Sequence, residues 1–189
     1  YFNKSDLSYN LIIAATAEEE ISGKNGVEAL IPQLPPIEFA IVGEPTLLNL
    51  AIAERGLMVV DAKTTGISGH AARNEGENAL YKAVKDIEWI QQYHFDKVSD
   101  LLGPVKMTVT SFATENKQHN IVPASAEYLV DIRVNELYQF EEILNTLKAN
   151  LNAEITPRST RIKSTLIHPN HPIVKVGESL GSICYGSPT

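Results

Sequence analysis

Three adjacent carboxylates, Glu18, Glu19 and Glu20, close an apolar run, Tyr9-Asn10-Leu11-Ile12-Ile13-Ala14, just ahead of Ser22-Gly23-Lys24-Asn25-Gly26. At the end of a buried strand such a triplet is costly. The carboxylates repel one another, and burial disfavours their charged forms. A cation relieves both penalties. A second apolar run, Ile37-Glu38-Phe39-Ala40-Ile41-Val42, ends the same way, in Gly43-Glu44-Pro45-Thr46. Two successive strand ends that both deliver carboxylates suggest a metal site with oxygen ligands. Ideal strand alternation puts Glu18 and Glu20 on one side and Glu19 on the other, without saying which does what. The competing reading is plain: first-turn carboxylates facing a positive helix end, and a turn glutamate fixed by Pro45.

Three further residues stand where chemistry is feasible. His70 lies between Gly69 and Ala71 in a turn-rich segment, Thr65 to Arg73. Asn120 precedes Pro123 by three, and Arg133 follows Asp131 by two. A loop histidine is most often just solvated, a turn asparagine is ordinary, and Arg133 has Asp131 or Glu136 as simple ion-pair partners. His168 and His171 are separated by Pro169 and Asn170, with no carboxylate near, and read as surface residues. His94 and His119 also read as non-ligands.

The elements that must position these residues follow from periodicity. Both apolar runs are continuous, as in a parallel sheet covered on both faces. Between them a helix is expected from about Ser22 to Ile31, stopped by Pro32. This βαβ unit would gather ligands at the carboxyl ends of its strands. The pattern changes near Arg55-Gly56. A strand is expected over residues 57–64, then a helix from Asn74, where Asn74 and Glu77 have capping-box spacing. Its apolar face is Leu80, Ala83, Val84, Ile87 and Ile90. Strands at 105–112 and 127–134 follow, then a helix with Phe140, Ile143, Leu144, Leu147 and Leu151, then a strand within 153–167. Strand, helix, strand, strand, helix, strand is the ferredoxin-like order. A short helix is expected within 173–183.

Composition bounds the function. The chain has 189 residues, 43% apolar, with a formal net charge of −7. That disfavours nucleic acid as a partner, whose backbone calls for a basic patch. No run approaches the about 20 apolar residues of a membrane span, and no signal-peptide pattern opens the chain. Cys184 is the single cysteine, so no internal disulfide forms, which fits a cytoplasmic setting. Tyr1 stands directly before an apolar strand without an initiator Met, so an internal fragment of a longer enzyme is expected.

Five short motifs now fall in order: Thr16-Ala17-Glu18-Glu19-Glu20, Gly43-Glu44-Pro45-Thr46, Gly66-Ile67-Ser68-Gly69-His70-Ala71, His119-Asn120-Ile121-Val122-Pro123 and Val130-Asp131-Ile132-Arg133. Over nearly its whole length the chain resembles the two-metal amidohydrolases that include acetylornithine deacetylase, succinyl-diaminopimelate desuccinylase, aminoacylase and related carboxypeptidases. It looks most like the acetylornithine deacetylase branch, acting on N-acylated ornithine or citrulline in arginine biosynthesis. The resemblance implies that Glu19 is the general base and Glu20 a metal ligand, with Glu18 the acidic residue before them. It implies Glu44 as a terminal ligand of the second metal. It gives His70 an oxyanion-stabilising role in the partner subunit's site, Asn120 a substrate contact, and Arg133 a grip on the substrate α-carboxylate.

The implied cofactors are two divalent ions, zinc first and cobalt second. The His-x-Asp motif and distal His of the family are missing here, so the fragment alone is not expected to bind both. The implied fold is α/β: a βαβ portion of a zinc-peptidase-like catalytic domain plus an inserted α+β ferredoxin-like lid and dimerisation domain. Residues 1–55 are assigned to the catalytic domain, 56–165 to the lid, and 166–189 to the return. A small N-acyl amino acid and a second copy of the chain are the implied partners, with neither nucleic acid nor membrane. The rivals are a dipeptidase, carboxypeptidase or desuccinylase of the same family, or an inactive dimerisation module.

Overall fold

In the computed structural model, which describes residues 10–21 and 23–188, the chain divides into two units, Tyr1–Glu44 and Pro45–Thr189. In the first unit the only helical turns among the described residues are α1 (Val27–Leu30) and the 3₁₀ turn Ile31–Gln33 that follows it. The helix is shorter than expected: residues 24–26 form a turn and a bend rather than helix, and the segment before α1 is closed back on Glu18. Its carboxylate accepts from the Asn25 main-chain N–H and from Asn25 Nδ2, both at 3.0 Å. Its carbonyl accepts from Gly23 N–H at 2.9 Å, and its own φ of 61° turns the chain. Pro32 sits inside the 3₁₀ turn, as a residue without an N–H can.

The two expected strands are a correction. Residues 10–14 and 37–42 form no strand, and Leu11, Ile13, Ile41 and Val42 are exposed. Apolar continuity predicts burial, but a strand also needs neighbours for its N–H and C=O groups. Every sheet among the described residues is built from residues 50–187. Tyr9 and Ser22, named as the starts of the strand and helix, lie outside the described residues.

The second unit contains β1 (Leu50–Glu54), β2 (Gly56–Thr65), β3 (Gly69–His70), α2 (Ala79–Gln92), β4 (Lys106–Ala113), β5 (Ile121–Val122), β6 (Ser125–Val134), α3 (Phe140–Asn150), β7 (Glu154–Pro157), β8 (Thr165–Leu166), α4 (Pro172–Ser179) and β9 (Cys184–Ser187). Its main sheet has the order β4-β6-β2-β7, antiparallel throughout. This is the ferredoxin-like arrangement expected from the order of elements. The alternation of β2 and β6 sends Met58, Val60, Ala62, Tyr128, Val130, Ile132 and Val134 to one face. There they pack with Ala79, Ala83 and Ile90 of α2 and Phe140, Ile143 and Leu147 of α3 in one apolar core. The opposite face carries paired charges: Lys63 with Glu127, Arg158 with Asp61, and Arg133 with Asp131.

Helix α2 starts later than its capping-box letters suggest. Asn78 is the N-cap, its side chain accepting from Leu80 N–H at 2.9 Å. Asn74 lies four residues before that cap. The Glu77 main chain is used instead in a two-way bridge to Ile67, at 2.8 and 2.9 Å. Asp86, 1% exposed on α2, reaches across to the turn between α3 and β7. In the smaller sheet, of order β8-β1-β9, β1 pairs antiparallel with β8 and parallel with β9. Helix α4 is capped by His171, whose Nδ1 accepts from Ile173 N–H. His168 Nδ1 likewise accepts from Asn170 N–H. Both histidines serve the turn they sit in.

Candidate active-site loops

His70 and Asn120 are fifty residues apart in sequence and neighbours in the structure. Strand β3 pairs with β5 in a two-stranded ladder, Gly69 opposite Val122 and His70 opposite Ile121. Just beyond it, Ala71 N–H donates to the Asn120 carbonyl at 2.9 Å. Both residues are exposed. The Ala72 N–H donates to His70 Nδ1 at 3.2 Å, which leaves Nε2 to carry the proton of the neutral ring. An Nε2–H facing solvent from a fixed ring is a donor ready for a developing oxyanion.

Glycines make the loop geometry feasible, and the sequence reading passed over their packing role. A Cβ on Gly66 would lie 2.0 Å from the Glu77 carbonyl oxygen, and one on Gly69 2.7 Å from the Glu75 carbonyl group. Gly76 has φ +80°, a conformation side chains resist. Residues 67–77 are thereby folded tightly on themselves, with His70 held on one arm. Asn116, also missed, orders the other arm. Its Nδ2 donates to the Ile121 carbonyl at 2.7 Å, and its Oδ1 accepts from Gln118 N–H at 2.9 Å. A turn asparagine four residues before Asn120 was the available signal.

Arg133 lies on β6, an interior strand, opposite Leu57 of β2 and Lys106 of β4. Asp131 holds it in a two-point fork, Nε at 2.8 Å and Nη2 at 3.1 Å. Both side chains are about a quarter exposed, at 26% and 27%. The ion pair foreseen as the simple alternative is therefore present. A substrate carboxylate would meet a guanidinium already oriented by Asp131.

Glu19, Glu20 and Glu44 are exposed. Glu18 is committed to Asn25, whose hydrogen bonds lower its pKa. The donor chemistry of Glu20 and Glu44 suits a divalent cation, but two carboxylates fall short of the set a two-metal centre needs. Among the described residues no three His, Cys, Asp or Glu side chains come together to hold a metal. The residues present do not by themselves fit the implied dimetal group.

With the fold and the loops placed, the comparisons with known proteins become interpretable. Residues 52–158 match the family described as the peptidase dimerisation domain. The chain belongs to that family. It is 28% identical over 176 residues to succinyl-diaminopimelate desuccinylase of Dinoroseobacter shibae, covering 84% of this chain and 46% of that protein. It is 28% identical over 159 residues to the protein of the same name from Orientia tsutsugamushi, covering 79% and 41%. The chain thus spans about half the length of the curated relatives it matches. Among solved structures, aminopeptidase PepT from Bacillus cereus matches with a TM-score of 0.70 at 17% identity, over 92% of this chain and 49% of that one. A tripeptidase from Staphylococcus aureus matches at 0.66 and 22% identity, over 91% and 48%. At these identities the structural matches show the mixed α/β fold alone. No helix among the described residues is long and apolar enough to cross a membrane.

Proposed function

We propose that the full-length protein is a metal-dependent hydrolase that cleaves the amide bond of a small N-acyl amino acid. The observation that carries this reading is the meeting of His70 and Asn120 on adjacent arms of a peptidase dimerisation domain, with His70 Nε2 presented as a donor. The relatives favour a desuccinylase over the acetylornithine deacetylase of arginine biosynthesis, since the similar curated proteins carry the desuccinylase name. In this reading Glu19 takes and returns a proton, His70 Nε2–H stabilises the oxyanion, and Asn120 contacts substrate. Arg133, aimed by Asp131, binds the α-carboxylate. Glu20 and Glu44 would supply two ligands to a pair of divalent ions, zinc or cobalt, whose coordination the full-length protein would complete with further ligands. Residues 1–55 and 166–189 belong to the catalytic domain and 56–165 to the lid. The family stretch at 52–158 supports the lid assignment.

A homodimer through the lid completes the proposal. It is supported by the family match and by β4, a strand of eight residues that is a sheet edge among the described residues, beside exposed Tyr81 and Val84 of α2. Pairing two copies covers such an edge. The test is hydrolysis of a panel of N-acyl amino acids and dipeptides by the purified full-length protein. Turnover of N-acyl amino acids, lost on chelation and restored by zinc, is expected. Turnover of dipeptides alone, or none that depends on metal, overturns the proposal.

A further inference from the structure

The tight loop that carries His70 also carries a cation that the reading above leaves unused. Arg73 N–H donates to the His70 carbonyl at 2.9 Å. This closes the turn 70–73 and keeps the two Cα atoms within about 7 Å. The contact of Gly69 with the Glu75 backbone and the Ile67–Glu77 bridge fix this turn from both sides. Arg73 itself is 68% exposed. Among the described residues its guanidinium pairs only with Glu75, through one contact of 3.4 Å. An exposed single-point pair of this kind is worth little and is readily exchanged. The other carboxylate of the loop, Glu77, is engaged by Lys82 at 3.0 Å. A planar, permanently charged fork thus stands on the same turn as His70, three residues on, held only by a weak partner that it can exchange for a better one.

We propose that Arg73 binds a carboxylate at the far end of the acyl group, and so selects N-acyl amino acids whose acyl part is a dicarboxylic acid. This deepens the hydrolase reading and rests on it. If His70 donates to the carbonyl oxygen of the scissile amide, a carboxylate a few bonds beyond that carbonyl lies within reach of a side chain on the same turn. Arg133 serves the opposite end of the substrate, so two arginines match two anionic groups.

The test uses the full-length protein and two substrates of one amino acid, its N-succinyl and N-acetyl derivatives. The readout is the ratio of the two kcat/KM values. The wild type is expected to favour the succinyl substrate. In Arg73→Ala the ratio is expected to fall about 10- to 100-fold, the loss of a charge-assisted fork. In Arg73→Lys it should fall less, since the charge stays and the fork goes. A ratio in Arg73→Ala within about twofold of the wild type, or a wild type that prefers the acetyl substrate, overturns the role of Arg73 while leaving the hydrolase reading intact. A wild type that cleaves neither substrate overturns that reading, and this proposal with it.

Discussion

Removing the Asp86 carboxylate should cost more stability than any exposed ion pair of this protein. Asp86 is 1% exposed and accepts four hydrogen bonds. Oδ1 takes Asn152 N–H at 2.8 Å and Asn152 Nδ2 at 2.7 Å. Oδ2 takes Ala153 N–H and Tyr128 O–H, both at 3.0 Å. These donors come from β6 and from the turn between α3 and β7, so one side chain ties three elements. A hydrogen bond to a charged group contributes about 1.5–3 kcal/mol. Four such bonds do not add, because deleting the carboxylate also relieves the burial of a charge. For Asp86→Ala we expect a net loss of about 3–5 kcal/mol, dominated by stranded donors. Asp86→Asn keeps the shape but turns one oxygen into a donor facing donors, and should cost about 1–3 kcal/mol. Tyr128→Phe should cost about 1–2 kcal/mol in the wild type and almost nothing beside Asp86→Ala, a coupling of about 1 kcal/mol or more. Urea unfolding followed by fluorescence reads this directly. Trp89 is the single tryptophan and stacks on Tyr93 with centroids 4.4 Å apart. A loss below about 1 kcal/mol for Asp86→Ala, or an Asp86→Asn variant as stable as the wild type, would refute the reasoning.

The cap assignment separates two asparagines: Asn78→Ala should cost about 1 kcal/mol in unfolding free energy, and Asn74→Ala less than about 0.5 kcal/mol. Burial, then the Asp86 charge, raises the Tyr128 pKa well above the ordinary phenol value. Its contribution is therefore complete below about pH 10, where the unfolded phenol is still protonated, and is lost as pH rises from there towards the folded pKa. Thermal unfolding between pH 9 and pH 12 should show a falling limb that is shallower in Tyr128→Phe, and equal limbs would contradict it. If His70 acts in the partner subunit, inactive full-length Glu19→Ala and His70→Ala proteins should regain roughly a quarter of wild-type activity when their subunits exchange, since half the dimers are mixed and each holds one intact site. Demonstrated exchange without recovered activity would place His70 in its own subunit or outside catalysis.

Much of the dimerisation domain was legible because burial there follows period. Met58, Val60 and Ala62 alternate with Leu57, Val59 and Asp61 in the sequence, and the structure buries the first set under two helices. Phe140, Ile143 and Leu147 of α3 report their core face through a 3.6 period in the same way. The start of α2 misled because local letters compete with main-chain needs. Asn74 and Glu77 have the spacing of a capping box, yet Glu77 closes the 67–77 loop and leaves the cap to Asn78. The runs at 10–14 and 37–42 misled for a different reason. Continuous apolarity encodes faces that want cover but does not name the strand that must lie alongside.

The candidate site residues could be named from the sequence, but how they come together could not. Nothing in a separation of fifty residues says that His70 and Asn120 meet; the β3–β5 ladder brings their loops together, and Gly66 and Gly69 keep the first loop tight enough to reach it. The His70 tautomer was equally hidden, since it depends on one N–H two residues on. For Arg133 the sequence offered a substrate carboxylate on one side and Asp131 or Glu136 on the other, and the structure pairs it with Asp131. Pairing with Asp131 and binding a substrate carboxylate are compatible. A guanidinium gripped along one edge keeps its orientation and its charge, whereas an unheld arginine must lose rotamer freedom each time it binds. Asp131 is on that argument an orienting residue. Asp131→Asn should then raise KM for a substrate with an α-carboxylate while Arg133 stays in place, and an unchanged KM would remove Asp131 from the binding machinery.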